Sequence, residues 1–403
     1  MAERAVEAPH SALPPGLIPA TVGKGVGSAA LRLPYTFIKP IAAGLGTSVG
    51  HLGAILGLGE LLGLLTGAIG RSIDRGHQRR WMLIGLGLVS VGTGVIVAGR
   101  SVPTFGIGFG CVSLGIAWYT TAGHGWIATH VPYAGRGRAM GTYEMSWAVA
   151  LLVGAPVLGV VLAATRWWVP FLVLALLAAA TTIVVASGVA PDRVAVVSDS
   201  GADAGAGSTP HVLMRLDRRA VLTITASFFI TFAAISVFAV YGAWLEDRFD
   251  LSAATVGVLS VAIGVAELTA SAATVRFTDR WGKTTSVQRG AAVMAVGLGL
   301  VLVAPAFAPF GVVALVTVFI GFEFGYVSLL NIVSEVGREQ RGAVVALDHA
   351  LTTASRAGAA ALATSLYDHV GMRPPALVSL GCLAASMVAL KASHRTHESE
   401  KIG

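Results

Sequence analysis

The chain alternates long apolar runs with short segments that carry charge or Pro and Gly. A membrane-spanning helix needs roughly 20 mostly apolar residues at about 1.5 Å each. Twelve windows meet this requirement: 17–41, 50–71, 81–99, 103–129, 141–164, 168–188, 219–243, 252–275, 288–306, 310–333, 343–366 and 375–392, numbered here spans 1 to 12. Span 1 carries Lys24, Arg32 and Lys39, and spans 9 and 10 are divided only by PAFAPF, where Pro305 and Pro309 mark a turn. Glu3, Arg4 and Glu7 precede span 1, and no short apolar core with a small-residue cleavage site follows them, so no cleaved signal peptide is expected. Residues 189–218, rich in Asp, Ser, Ala and Gly, interrupt the pattern and predict a flexible linker between an N-terminal half, 1–188, and a C-terminal half, 219–403.

Composition agrees with this pattern. Charged residues make up 12% of the 403 and apolar residues 55%, and a soluble chain of this length cannot hide so much apolar side chain behind so little charge. The 50 glycines follow no three-residue period, which excludes a collagen-like chain, and Cys111 and Cys382 both lie in apolar runs, which excludes a disulfide framework. The net charge of +7 sits in short clusters between apolar runs, as membrane loops do, so no nucleic-acid partner is expected. With both termini in the cytoplasm, about 20 of the 28 Lys and Arg residues fall in cytoplasmic segments. About four (Arg100, Arg166, Arg248, Arg373) fall outside, which is the bias that positive-inside insertion requires. Five lysines against 23 arginines, with heavy use of Ala, Gly and Val, point to a GC-rich bacterial genome and hence to the cell membrane.

The two halves share landmarks at a common offset. Asp74-Arg75 precedes Asp279-Arg280 by 205 positions, and Arg136-Gly137 precedes Arg341-Gly342 by 205. Glu144 precedes Asp348 by 204, and Gly154 precedes Gly358 by 204. Four landmarks in chain order predict a duplicated chain, an all-α polytopic membrane protein of two six-helix bundles related by a pseudo-two-fold axis. This arrangement resembles the major facilitator superfamily over essentially the whole chain. That family's loop signature, Gly-x-x-x-Asp-Arg-x-Gly-Arg-Arg, is followed by Gly70, Asp74, Arg75, Arg79 and Arg80, with His77 in place of the second Gly and Gly76 one place early. The second copy keeps Asp279, Arg280, Gly282 and Lys283, with Val275 in place of the first Gly. In span 5, GAPVLG (Gly154, Pro156 and Gly159 among them) is similar to a reduced form of the Gly-Pro antiporter motif of exporters. The resemblance implies a monomeric carrier that needs no cofactor or metal, with a small-molecule cavity lined by spans 1, 4, 7 and 10.

The motif loops have a physical reading as well. A small residue at Gly70 permits close helix approach, and Gly59, Gly63 and Gly67, four apart, are expected to lay one smooth stripe along span 2. Arg75 is expected to hold Asp348 in span 11, and Arg280 to hold Glu144 in span 5, as two latches that close the cytoplasmic side.

Each charge at mid-membrane costs roughly 2.5–3.5 kcal/mol on insertion scales, so such groups face a cavity or a partner. The candidates are Lys24, Arg32, Glu60, Glu267, Glu323 and Arg356. By the resemblance, Arg32 and Glu323 are cavity residues, whereas Glu60 and Glu267 belong to helices packed between the halves. A carboxyl group removed from water exchanges protons nearer neutral pH. Glu323 is therefore the first choice for a proton- or cation-binding group and Glu60 the second, the alternative being a permanent ion pair of Glu323 with Arg32 or Arg356. In span 4, Trp118, Tyr119, His124 and Trp126 offer rings to an aromatic solute or anchor the helix at the interface.

A proton-coupled secondary transporter that exports a small amphipathic or hydrophobic solute through the bilayer accounts for these features. The spans are poor in amide side chains (Asn331 is the single asparagine), which argues against sugar uptake. Uptake of a small metabolite by symport is the alternative within the class; a non-transporting sensor or an intramembrane enzyme is the alternative outside it. No His-Glu-x-x-His sequence and no phosphate-binding Gly-x-x-x-x-Gly-Lys-Ser/Thr loop occurs, so neither a zinc protease nor an ATP-driven pump is expected.

Overall fold

A computed structural model describes residues 14–192, 217–336 and 341–402. Twelve helical rods run in the predicted order, and no strand occurs among the described residues. Span 1 is two helices, Leu17–Thr36 and Ile38–Leu45; span 2 is Val49–Glu60, a 3-10 stretch Leu61–Ile69, and Gly70–Asp74. Spans 3, 4 and 6 are Gln78–Gly99, Val102–His130 and Val169–Gly188. Span 5 runs through Tyr133–Val149, a π-turn Ala150–Gly154 and Ala155–Ala164. In the second half, span 7 is Arg218–Phe238 with Tyr241–Phe249, and spans 8 to 12 are Ala253–Trp281, Lys283–Val303, Ala308–Val333, Arg341–Val370 and Arg373–Ile402. Among the described residues ten rods are long and apolar enough to cross a membrane; the other two are span 1, diluted by Lys24, Arg32 and small residues, and span 11, diluted by its charged and polar residues. Spans 7, 8, 11 and 12 outrun their predicted windows because polar residues end an apolar count without ending a helix. The predicted linker lies largely outside the described residues.

The duplication extends to the stop and start devices of individual helices. Span 1 breaks at Phe37 and span 7 at Val240, with backbone angles near −120°, 37° and −126°, 0°. Pro40 has no N–H to give Thr36, which loosens the first break. Gly46 and Asp250, 204 apart, end the following short helices in the left-handed conformation. Ser48 and Ser252, again 204 apart, cap spans 2 and 8 by accepting from the N–H groups of His51 (3.1 Å) and Thr255 (3.3 Å). The two breaks meet at the centre of the molecule. Tyr241 donates its hydroxyl to Thr36 Oγ1 (2.9 Å), and Gly242 lies against the Thr36 carbonyl.

The halves join along two seams, span 2 on span 11 and span 5 on span 8. Glycines make the seams close. Gly53 and Gly57 lie against Thr364 and the Ala357 carbonyl, and Gly159 and Gly257 lie against the Ala253 and Ala155 carbonyls. Pro156 withholds an N–H from the carbonyl of Leu152, and the helix before it widens into the π-turn, in which Ala155 N–H bonds to Ala150 O. These close contacts lie toward the end opposite Asp74-Arg75 and Asp279-Arg280, where a second set of contacts links the halves. Lys39 pairs with Asp247, which also accepts from the Tyr367 hydroxyl (2.7 Å).

At the motif end the halves separate. Asp74, Arg75, Asp279 and Arg280 are all exposed, and no atom lies near a Cβ built on Gly67 or Gly70. The expected stripe of Gly59, Gly63 and Gly67 is therefore corrected. Gly59 faces Phe109 of span 4, Gly67 faces open space, and the close packing falls to Gly50, Gly53 and Gly57. The 3-10 stretch from Leu61 turns every three residues, so a four-residue period does not stay on one face.

Gly57→Val inserts atoms where the Ala357 carbonyl sits, and such overpacking costs about 1–3 kcal/mol. The variant is expected to raise labelling of Lys39→Cys from the opposite end by about tenfold, the consequence of a ~1.4 kcal/mol bias toward opening there. Unchanged labelling refutes the assignment of this seam as a closed gate.

Candidate functional site

The polar residues of span 1 recur at helical spacing. Lys24, Ser28, Arg32 and Thr36, four apart, are all buried on one face that runs down the centre of the molecule. Each charge on that face has a carboxylate opposite it. Arg32 grips Glu267 of span 8 with two parallel bonds, Nη1 to Oε2 at 3.0 Å and Nη2 to Oε1 at 2.7 Å. Its guanidinium also lies over the rings of Trp147 (4.6 Å) and Phe238 (4.8 Å) and donates to the Trp147 carbonyl at 3.3 Å. Glu60 of span 2 accepts from Tyr35 Oη (2.6 Å), Arg356 Nε (2.8 Å) and Arg356 Nη2 (3.3 Å). Both pairs cross between the halves, and both consist of side chains that would be costly to bury alone.

The third cation stays within its own half. Lys24, 3% exposed, meets Glu144 of span 5 at 2.6 Å, and His124 Nε2 shares the same carboxylate at 2.6 Å. With the motif end open, the expected latches are not formed. Glu144 is held by Lys24 and His124 rather than Arg280, and Asp348 has no contact with Arg75, because the exposed motif loops stand away from spans 5 and 11. Among the described residues, Asp74, Arg75, Asp279 and Arg280 make no ion pair.

Glu323 of span 10 pairs with neither Arg32 nor Arg356, since both arginines are taken. Ser271 of span 8 stands beside it, and the charged groups close enough to act on it are Glu267, Arg32 and Glu144. Asp348 of span 11 is 3% exposed and also makes no ion pair among the described residues. The central site therefore brings together Arg32, Glu60, His124, Glu144, Glu323 and Arg356, with Asp348 on its C-terminal side.

Other predicted residues lie elsewhere. Trp126 is 1% exposed, stacks on His130 (5.0 Å, 16°) and supports Gly16, so it offers no face to a solute. Gly154, Pro156 and Gly159 belong to span 5, Gly154 beside Ala29 of span 1 and Gly159 in the seam with span 8. Arg79 bonds the Ala186 carbonyl, while Asp192 accepts the backbone N–H groups of Arg79 (2.7 Å) and Arg80 (3.1 Å), a carboxylate on the start of span 3. Gly282 takes φ 83° at the junction of spans 8 and 9.

Trp147 and Tyr35 are central residues that the hydropathy pattern does not single out, because an aromatic residue in an apolar run looks like packing. Asp247 and Tyr367 escape it as well, lying beyond the predicted spans 7 and 11. The one available signal is Lys39, a cation in an apolar window that requires a partner.

Comparison with known proteins accords with this architecture. The family model for the Major Facilitator Superfamily matches residues 22–357. No curated protein matches the chain. Among solved structures, a bacterial homolog of the human lysosomal transporter Spinster, inward-facing and occupied, aligns at TM-score 0.73 and 12% identity, covering 94% of this chain and 96% of that one. The xylose transporter XylE from E. coli in its inward open conformation aligns at 0.67 and 16%, covering 94% of each. A peptide transporter in complex with sulfate aligns at 0.75 and 12%, covering 94% of this chain and 95% of that one. At these identities the likeness is one of fold.

Proposed function

We propose that this chain, which belongs to the Major Facilitator Superfamily of membrane transporters, exports a small amphipathic or hydrophobic solute in exchange for protons. The observation that carries this reading is Glu323, a carboxylate beside the central ion pairs that itself pairs with no cation among the described residues. Such a group binds a proton in one orientation and releases it in the other. The site opens toward the motif end, which positive-inside charge assigns to the cytoplasm of a bacterial cell membrane. Rocking of the halves about the Arg32–Glu267 and Glu60–Arg356 pairs would expose the site to the two sides in turn. Closure of the motif end would bring the Asp74-Arg75 and Asp279-Arg280 loops toward spans 11 and 5. The solute class is inferred from the half-buried rings of spans 7 and 10, Phe228 with Phe232 and the stacked Phe322–Tyr326 pair, on the two helices that the family resemblance gives to the cavity.

A second reading is uptake by proton symport. It is favoured by one structural neighbour, a D-xylose-proton symporter that aligns at TM-score 0.70. Reconstitution into proteoliposomes with an imposed pH gradient separates the two. With lipophilic cations, sugars and peptides presented in parallel, export of an amphipathic solute is expected when the proton gradient runs against its movement. Movement of sugar or peptide in the same direction as protons selects the symport reading, and no flux of any solute defeats both.

A further inference from the structure

The duplicated halves differ at the end opposite the motif loops. There the C-terminal half opens a cleft of about 650 Å³ between the short helix Tyr241–Phe249, the close of span 9 and the junction of spans 11 and 12. Its counterpart in the N-terminal half is filled. The 204-residue offset still holds here, since spans 3 and 9 end at Gly99 and Val303 and spans 6 and 12 begin at Val169 and Arg373. In the first copy Trp167 packs directly on Gly44, and Trp168 lies under the Arg100 guanidinium at 4.0 Å. The second copy has Gly371 and Met372 in place of the two indoles and Ala304 in place of Arg100, so the filling side chains are gone.

What the second copy gains is charge. Gly44, Thr165 and Val169 correspond to Arg248, His369 and Arg373, all three exposed and all three on the cleft wall. Two carboxylates share that wall, and both are engaged by the N-terminal half. Asp247 is held by Lys39 and the Tyr367 hydroxyl, and Asp368 Oδ2 lies beside Gly50 in the first turn of span 2, where a helix start favours negative charge. Arg248, His369 and Arg373 make no ion pair among the described residues. Arg248 donates Nη2 to the Ala304 carbonyl at 2.9 Å, which orients the guanidinium and leaves its other donors. The more deeply buried part of the lining is apolar: Trp244, Val301, Leu302 and Met372. Guanidinium groups recognise a carboxylate or phosphate through charge-assisted, forked hydrogen bonds, and the volume is that of a small-ligand site.

We propose that this cleft binds a small amphipathic anion, its carboxylate or phosphate head held by Arg248, His369 and Arg373 and its hydrocarbon part against Trp244 and Met372. The site is separate from the central one and depends neither on the direction of transport nor on the solute carried.

Isothermal titration calorimetry of the full-length protein in phosphatidylcholine nanodiscs, with empty nanodiscs as the baseline, tests it without flux. Octyl phosphate below its micellar concentration is expected to bind wild type. Arg248→Gln and Arg373→Gln are each expected to weaken the affinity about tenfold, the loss of one charge-assisted bond. Both side chains are exposed, so the variants keep their fold. Arg166→Gln, at an exposed arginine of the same end in the N-terminal half, is expected to leave the affinity unchanged. Octanol has the chain without the charge, and inorganic phosphate the charge without the chain; each is expected to bind about tenfold more weakly or less. Displacement of octyl phosphate by dihexanoyl phosphatidylglycerol identifies a lipid headgroup as the occupant, and failure to displace it identifies a soluble amphiphile. The proposal is overturned if wild type does not bind octyl phosphate, or if octanol or inorganic phosphate binds as tightly. Wild-type affinity in the double arginine variant, or an equal loss in Arg166→Gln, overturns it too.

Discussion

Glu323→Gln is expected to reduce proton-driven accumulation in proteoliposomes to the background of empty vesicles while leaving solute exchange at equal pH intact. The substitution keeps the shape and length of the side chain beside Ser271, and removes only the ability to ionise. Exchange needs a cavity that opens to both sides, and Gln preserves it. Accumulation needs a group whose charge differs between the two orientations, and Gln cannot provide it. The geometry makes Glu323 suited to this role because Arg32 and Arg356 are already bound to Glu267 and Glu60, so no arginine holds Glu323 permanently ionised. Glu323→Asp, which still ionises, is expected to retain a response to the gradient. Wild-type accumulation by the Gln variant would remove Glu323 from the mechanism.

The second large effect concerns the Arg32–Glu267 pair. Removing one partner of a buried pair leaves the other charge uncompensated, at a cost of about 3–5 kcal/mol, whereas replacing both by apolar residues of similar size is often neutral. Arg32→Leu and Glu267→Leu are each expected to lower thermal stability strongly, and the double variant to regain much of the loss. Arg32 is 3% and Glu267 8% exposed, so water does little to screen the pair. The cycle is read by tryptophan fluorescence during heating. Strictly additive losses would mean that the two charges are not coupled, and the bond across the halves would lose its energetic meaning.

The sequence patterns that located the helices were of a kind that depends on local composition alone. Twelve apolar windows, the duplicated Asp-Arg loops and the Glu144–Asp348 correspondence survive in the fold because span length and repeat offset are set along the chain. Partner choice is set across it. Glu60 and Glu267 read as seam residues, and they are, yet each also neutralises an arginine from the other half, which no spacing rule within one helix reveals. Glu144 was expected against Arg280 because the repeat places Arg280 near it when the motif end is shut. With that end open, Lys24 lies nearer. Trp126 misled for a different reason: an aromatic cluster in a polar-flanked run looks the same whether it lines a cavity or fills a core, and its contact with His130 depends on the path of the helix. The glycine stripe of span 2 failed where the helix tightened, since its period presumes 3.6 residues per turn.

The crossing of the two arginine–glutamate pairs also bears on how the protein is made. Arg32 and Glu60 leave the ribosome early, and their counterparts, Glu267 and Arg356, lie hundreds of residues downstream. Until synthesis reaches spans 8 and 11, the nascent first bundle carries two opposite charges in the lipid, each without its eventual mate. Insertion and final assembly are therefore separate events for this polypeptide, and the first bundle completes its interior only when the last third of the chain has been translated.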